Sequence, residues 1–192
     1  MRAERLYHSI RLLLCRKPRK RAMYLKKHNL FAGIGDNCSW GPWLLPLYPK
    51  LIRLHNNVRV HKTAQLITHD VLNRFLSKVD PTIDYGHYEK LGCIELGNNV
   101  YISMNVSIMP NVRINDNCII SAGSVVTSDI PKNSIASGIP AKPIGRFDVF
   151  MALRRMGSAQ TMKFKNQELP DELAEDEWCR FYNRRDEKIE EA

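Results

Sequence analysis

From Leu96 onward the apolar positions recur every sixth residue: LGNNVY, ISMNVS, IMPNVR, INDNCI, ISAGSV, VTSDIP. The first place of each hexad is Leu96, Ile102, Ile108, Ile114, Ile120 or Val126, and the fifth is Val100, Val106, Val112, Cys118, Ser124 or Ile130, all small or aliphatic. Leu54, Val60 and Leu66 keep the same step with Val58 and Ala64 in the fifth place, and one further hexad, Ile34-Gly35-Asp36-Asn37-Cys38-Ser39, precedes them. A helix face recurs at about 3.6 residues and strand alternation at 2, so a period of six predicts a short strand plus a tight turn, repeated. Three such sides close a triangular coil of eighteen residues, which stacks Leu96 over Ile114, Ile102 over Ile120 and Ile108 over Val126 at about 4.8 Å. The core is then three columns of aliphatic side chains. Gly97-Asn98-Asn99 and Asn115-Asp116-Asn117 suit the positive-φ corners between sides. An ordinary meander of short strands is the alternative, but meanders rarely keep strict six-residue spacing.

The flanks follow another pattern. Residues 1–30 (Leu6, Ile10, Leu13, then Tyr24, Leu25) read as basic amphipathic helix broken near Pro18, and residues 148–192 return to helical spacing with Phe150, Leu153 and Met156 before an acidic tail. The repeat domain between them is predicted over residues 31–147. Leu66 and Leu96 lie one and two-thirds coils apart, so residues 71–93 must leave the prism as an excursion loop. Long loops in compact domains usually carry function.

Composition narrows the class. A chain of 192 residues with 26% charged residues and near-average Gly and Pro is predicted to be globular with one core, and no run of eighteen apolar residues is present to cross a bilayer. The net charge of +9 is localised, because residues 1–30 carry ten Lys/Arg against Glu4 alone, whereas residues 168–192 hold ten acids and four bases. The cluster Arg16-Lys17-Pro18-Arg19-Lys20-Arg21 offers contact with an anionic membrane surface or with the acidic tail of the same or a neighbouring chain; no base-reading motif accompanies it, so no nucleic-acid partner is expected. Leu12-Leu13-Leu14-Cys15 is too short and too charge-flanked for a secretory signal, which points to the cytosol or the inner face of the membrane. Five well-separated cysteines without a Cys-x-x-Cys pair are expected to be reduced thiols.

The segments Leu96-Gly97-Asn98-Asn99-Val100-Tyr101-Ile102, Ala122-Gly123-Ser124-Val125-Val126-Thr127-Ser128-Asp129-Ile130-Pro131 and Ser137-Gly138-Ile139-Pro140-Ala141-Lys142-Pro143-Ile144 carry a resemblance. The chain is similar, over about residues 22–147, to the hexapeptide-repeat acyltransferases, a family that includes galactoside, maltose and polysaccharide O-acetyltransferases. The resemblance implies a left-handed parallel β-helix, with helical flanks outside it. It also implies a homotrimer, acetyl-CoA as acyl donor bound between neighbouring prisms, and a sugar or polysaccharide precursor as acceptor. Transfer to an amine and a non-catalytic scaffold are the alternatives.

Acyl transfer needs a general base for the acceptor hydroxyl, and imidazole titrates in the useful range. By the resemblance, His69 in Thr68-His69-Asp70 holds the family's catalytic position. Asp70 is a candidate to orient the ring or to contact the acceptor, although neighbours on a strand point to opposite faces, so another carboxylate or a backbone carbonyl is an equal alternative for orienting the ring. Tyr85 and His87, in Tyr85-Gly86-His87-Tyr88, are candidate acceptor contacts, with His87 the second choice of base. Met104, Ala122, Thr127 and Ser128 would lie beside the pantetheine arm and Lys142 at the nucleotide phosphates. Met104 replaces a usual small residue and Ser128 a frequent Lys, while Ser103, Asn115 and Ser121 replace the glycine often second in the hexad. A related branch of the fold is a zinc carbonic anhydrase, but His55 and His61, one hexad apart, face about a third of a turn away from each other, so no metal site is expected.

Overall fold

The computed structural model describes residues 2–86, 89–156 and 170–190. Residues Met1–Leu153 form one compact unit and Arg154–Ala192 a second. In the first, two-to-six-residue strands stack into three parallel sheets that are the walls of a triangular β-helix. One wall joins β1 (Gly33–Ile34), β3 (Ile52–Leu54), β8 (Ile94–Leu96) and β11 (Val112–Ile114). The second joins β2 (Ser39–Trp40), β4 (Arg59–Val60), β9 (Val100–Ile102), β12 (Cys118–Ile120) and β14 (Ser134–Gly138); the third joins β5 (Gln65–Leu66), β10 (Ser107–Ile108) and β13 (Val125–Val126).

The predicted stacking is observed in register: Leu96 pairs with Ile114, Ile102 with Ile120 and Ile108 with Val126. Leu96, Ile102, Ile108, Ile114, Ile120 and Val126 are fully buried, and so is Ser124, whose hydroxyl oxygen accepts the Gly138 N–H at 3.3 Å. Burying one such aliphatic side chain is worth about 1.5–3 kcal/mol, so the columns dominate the stability of the prism.

The corners carry positive φ within the Gly/Asn triplets, at one fixed place. Positive φ falls on the fourth place of the hexad, at Asn37, Asn57, Asn99, Asn105, Asn111, Asn117 and Gly123, and not on the second. Asn tolerates the left-handed region better than other residues with a side chain. Along one edge these side chains also form a ladder, with the Asn37 amide donating to Asn57 at 3.0 Å, Asn57 to Asn99 at 2.8 Å and Asn99 to Asn117 at 2.8 Å. At Gly97, in the second place, the constraint is closeness: a Cβ there would meet Asp116 Oδ1 at 2.4 Å. Ser103, Asn115 and Ser121 therefore leave the corner conformation intact.

At the top, β14 turns back into β15 (Ala141–Arg146), which pairs with it antiparallel and ends the parallel ladder. The basic N-terminal segment is two helices, α1 (Arg2–Leu14) and α2 (Pro18–Lys27), with the break where Pro18 opens the second. Arg21 of α2 is buried and donates to the carbonyls of Cys15 at 2.7 Å, Trp40 at 2.9 Å and Gly41 at 2.9 Å, which fixes the helix pair to the wall. The excursion is more ordered than a loop. It opens with β6 (His69–Asp70), contains α3 (Leu72–Val79) and closes with β7 (Lys90–Leu91), which pairs antiparallel with β6. Beyond the prism run α4 (Phe147–Met156) and α5 (Asp171–Glu190), the latter with Trp178 edge-on to Phe181.

On the first wall Glu95 accepts from His55 Nε2 at 2.9 Å and from Arg113 Nε at 2.8 Å, with Arg53 at 3.8 Å. The His55 hydrogen bond, helped by Arg113, holds the Glu95 carboxyl below its ordinary value of 4.5. A depressed carboxylate stabilises the fold above its unfolded value and loses that contribution as pH falls through the folded value. Acid titration of the urea midpoint is thus expected to fall more steeply below about pH 4.5 in the wild type than in Glu95→Gln. Asn99→Ala, which removes both the left-handed preference and the ladder, is expected to lower unfolding stability by about 1–3 kcal/mol, and Asn99→Gly by less, in the same assay.

Candidate active site

Three edges join the walls, and each carries different side chains. Thr68 and His69 sit on the edge between the third and first walls. The Ile67 N–H donates to Ile108 at 2.9 Å and that of Met109 to Val126 at 2.9 Å, so His69, Met109 to Asn111 and Thr127 to Asp129 occupy successive levels of this edge. Thr68 is buried, its hydroxyl donating to the Leu47 carbonyl at 2.7 Å while its own carbonyl accepts the Gly92 N–H at 2.9 Å. The strand pair and these bonds clamp the backbone of His69 on both sides.

The His69 ring lines an open cleft of about 420 Å³ with Asp70, Lys90, Met109, Pro110 and Asn111. Its Nδ1 is buried and has no hydrogen-bond partner among the described residues. Tyr48 meets the ring edge-on, centroids 5.5 Å apart, and donates its hydroxyl to Glu89 Oε2 at 2.7 Å. That hydrogen bond to a carboxylate pushes the Tyr48 phenol up from its ordinary value. Tyr48 itself has a left-handed backbone, φ 48° and ψ 54°, an uncommon conformation for a bulky side chain. Tyr48, Lys90 and Asn111 were not singled out by the sequence. Asn111 was reachable from the six-residue register, whereas Tyr48 belongs to the connection between β2 and β3, where the register lapses.

Asp70 lines the same cleft as His69, but no hydrogen bond joins it to the imidazole among the described residues. Its Oδ1 accepts the Leu72 N–H at 2.6 Å at the start of α3. Tyr85 is half-buried in the turn before Gly86, and His87 lies outside the described residues. His55 is held by Glu95, while His61 Nδ1 is 3.1 Å from Thr63 Oγ1 on a different edge, so the two rings do not converge.

The residues expected along the acyl donor divide between edges. Met104 and Ala122 are exposed on the edge between the second and third walls, where the Gly123 N–H donates to the Met104 carbonyl at 2.9 Å. Thr127 and Ser128 are exposed on the edge of His69, and Lys142 is exposed on β15 opposite Ser137. On one prism these groups do not form a single pocket.

Comparison with known proteins matches residues 94–128 to the bacterial transferase hexapeptide (six repeats) model. Galactoside O-acetyltransferase of Escherichia coli is 53% identical over 51 residues, 27% of this chain and 25% of that one. A Schizosaccharomyces pombe protein provisionally named an acetyltransferase is 37% identical over 98 residues, 51% of this chain and 44% of that one. The matched stretches thus span less than half the length of these curated relatives. A hexapeptide-repeat acetyltransferase of Vibrio cholerae, solved as a complex with acetyl-CoA, superposes with a TM-score of 0.57 at 18% identity, covering 76% of this chain and 86% of that one. In repeat, fold and matched sequence the chain is similar to the hexapeptide-repeat acetyltransferases.

Proposed function

We propose that the protein is an acetyl-CoA-dependent O-acetyltransferase that acts on a hydroxyl of a sugar or polysaccharide precursor. The observation that carries this reading is the imidazole of His69, clamped at the base of the excursion and lining a cleft on a hexapeptide-repeat prism. The acetyl-CoA complex of the Vibrio cholerae protein of the same fold supports the donor, and the galactoside O-acetyltransferase relative supports a sugar hydroxyl. With Nδ1 turned inward, Nε2 is the nitrogen that takes the acceptor proton. The oxygen attacks the thioester carbonyl, the C–S bond breaks as the tetrahedral intermediate collapses, and the imidazolium returns its proton to the departing CoA thiolate. A backbone N–H on the prism edge would hold the developing oxyanion.

The division of the donor-binding residues between edges supports a homotrimer. Met104 and Ala122 of one copy would face Thr127 and Ser128 of the next across a shared groove, with Lys142 at the nucleotide phosphates. Asp70 and Tyr85, with His87, would border the acceptor from the excursion. For the N-terminal segment the proposed partner is an anionic membrane surface on the cytoplasmic side. Leu6, Tyr7, Ile10, Leu13 and Leu14 are exposed on one arc of α1, within a segment, residues 1–30, that carries ten Lys/Arg against Glu4. None of the described helices is long and apolar enough to cross a membrane.

An acceptor screen that follows free CoA release tests the reaction. With an accepted hydroxyl substrate, His69→Ala is expected to lower turnover by about 10²- to 10⁴-fold, and turnover near that of the wild type would refute the assignment. The membrane contact predicts that the protein cosediments with vesicles containing phosphatidylserine, that about 0.5 M salt releases it, and that Leu6→Asp/Ile10→Asp abolishes the association.

A further inference from the structure

A second cleft, of about 370 Å³, lies on the outer face of the second wall. Its floor is the outward row Ser39, Arg59 and Tyr101, residues of β2, β4 and β9 that pair in register. Trp43 and Tyr101 present half-exposed aromatic faces to it, and Arg16 and Lys62 stand at its sides. Arg21, buried and bound only by carbonyl oxygens, adds a further positive charge that lines the cleft. Among the described residues no carboxylate lines the cleft.

The contrast with the rest of the prism is informative. On the first wall the outward cations Arg53 and Arg113 share Glu95, and Lys26 of α2 is paired with Asp36 at 2.7 Å. Arg16, Arg21, Arg59 and Lys62 take part in no ion pair among the described residues. Several cations gathered in one concave site repel one another, and they form a ready field for an anion. Guanidinium and ammonium groups suit phosphate oxygens, and flat aromatic faces suit the C–H face of a sugar ring. A neutral polyol would use the aromatics and leave the cations idle.

The cleft's place along the prism fits an acceptor. The His61 N–H donates to Ile102 at 3.0 Å and the Asn105 N–H to Thr63 Oγ1 at 2.9 Å, so the His61 to Thr63 corner lies directly beneath the Met104 corner. We propose that this cleft binds the acceptor and that the acceptor is a phosphate-bearing sugar, its phosphate against Arg16, Arg59 and Lys62 and its ring against Trp43 and Tyr101. This rests on the acetyl-transfer reading above. His69 stands on another edge of the same prism, so in the proposed trimer an acceptor held here would meet the imidazole of a neighbouring copy.

Isothermal titration of the full chain with glucose 1-phosphate, inorganic pyrophosphate and glucose, with and without saturating CoA, tests the assignment. Both phosphate probes are expected to bind about tenfold or more tightly than glucose, and to weaken by at least that factor in Arg59→Ala/Lys62→Ala, whose substitutions are on exposed side chains. Phosphate probes that bind no better than glucose, or equally well to the double variant, would overturn the proposal, as would displacement by CoA, which would assign the cations to the donor's own phosphates. Failure of acetyl-CoA itself to bind would instead sink the acetyl-transfer reading while leaving the phosphate site standing. Acetylation of a neutral sugar at an undiminished rate by the double variant would sink the phosphate-sugar acceptor alone.

Discussion

The register of the aliphatic columns is the constraint on which the remaining features depend. Each rung buries its first and fifth hexad places, and a slip of one residue would turn every buried side chain to solvent. The columns tolerate insertion but not misalignment. After the excursion, Leu96 pairs with Leu54 and Ile108 with Leu66, so the chain returns to the same vertical lines it left. That return brings β7 back beside β6 and gives His69 its fixed backbone. The excursion costs loop-closure entropy, which grows only slowly with length, and the resumed columns offset it.

Because the core is mostly aliphatic on all three sides, chemical individuality is concentrated at the edges and outer faces. One edge is given over to the asparagine ladder, in which each side chain accepts from the level before and donates to the next. The second carries Met104 and Ala122 above the His61 corner, and the third carries His69, Asn111 and Thr127. A prism with its functional groups on separate edges is suited to assembling sites between copies, where an edge of one faces an edge of another.

Charge is distributed by the same logic. Outward positions of adjacent rungs lie about 4.8 Å apart, so alternate signs on one wall satisfy each other, as Arg53, Glu95 and Arg113 do. On the second wall the row beneath the cleft is Ser39, Arg59 and Tyr101, with no acid among the described lining residues, and the helix pair adds Arg16 and Arg21. The same geometry therefore yields a neutralised face and a cationic one from a change of a few residues.

The hexads alone determined the triangular coil, its stacking partners and the site of the excursion, because a six-residue period is a local signal that repeats until chance is excluded. The break at Pro18 and the helical flanks were legible for the same reason, through 3.6-residue spacing and proline geometry. The sequence also pointed to His69, but only through resemblance, since a lone imidazole carries no periodic mark. The Gly/Asn triplets marked the corners, but which member of each takes positive φ was left open, as closeness of chain and handedness of backbone look alike in a string of Gly and Asn. The role of Asp70, the contact of Tyr48 with the imidazole and the gathering of Arg16, Arg59 and Lys62 were decided by tertiary structure alone. These depend on where an irregular connection, a helix pair and a prism wall meet, and such meetings join residues far apart in sequence that no local pattern relates.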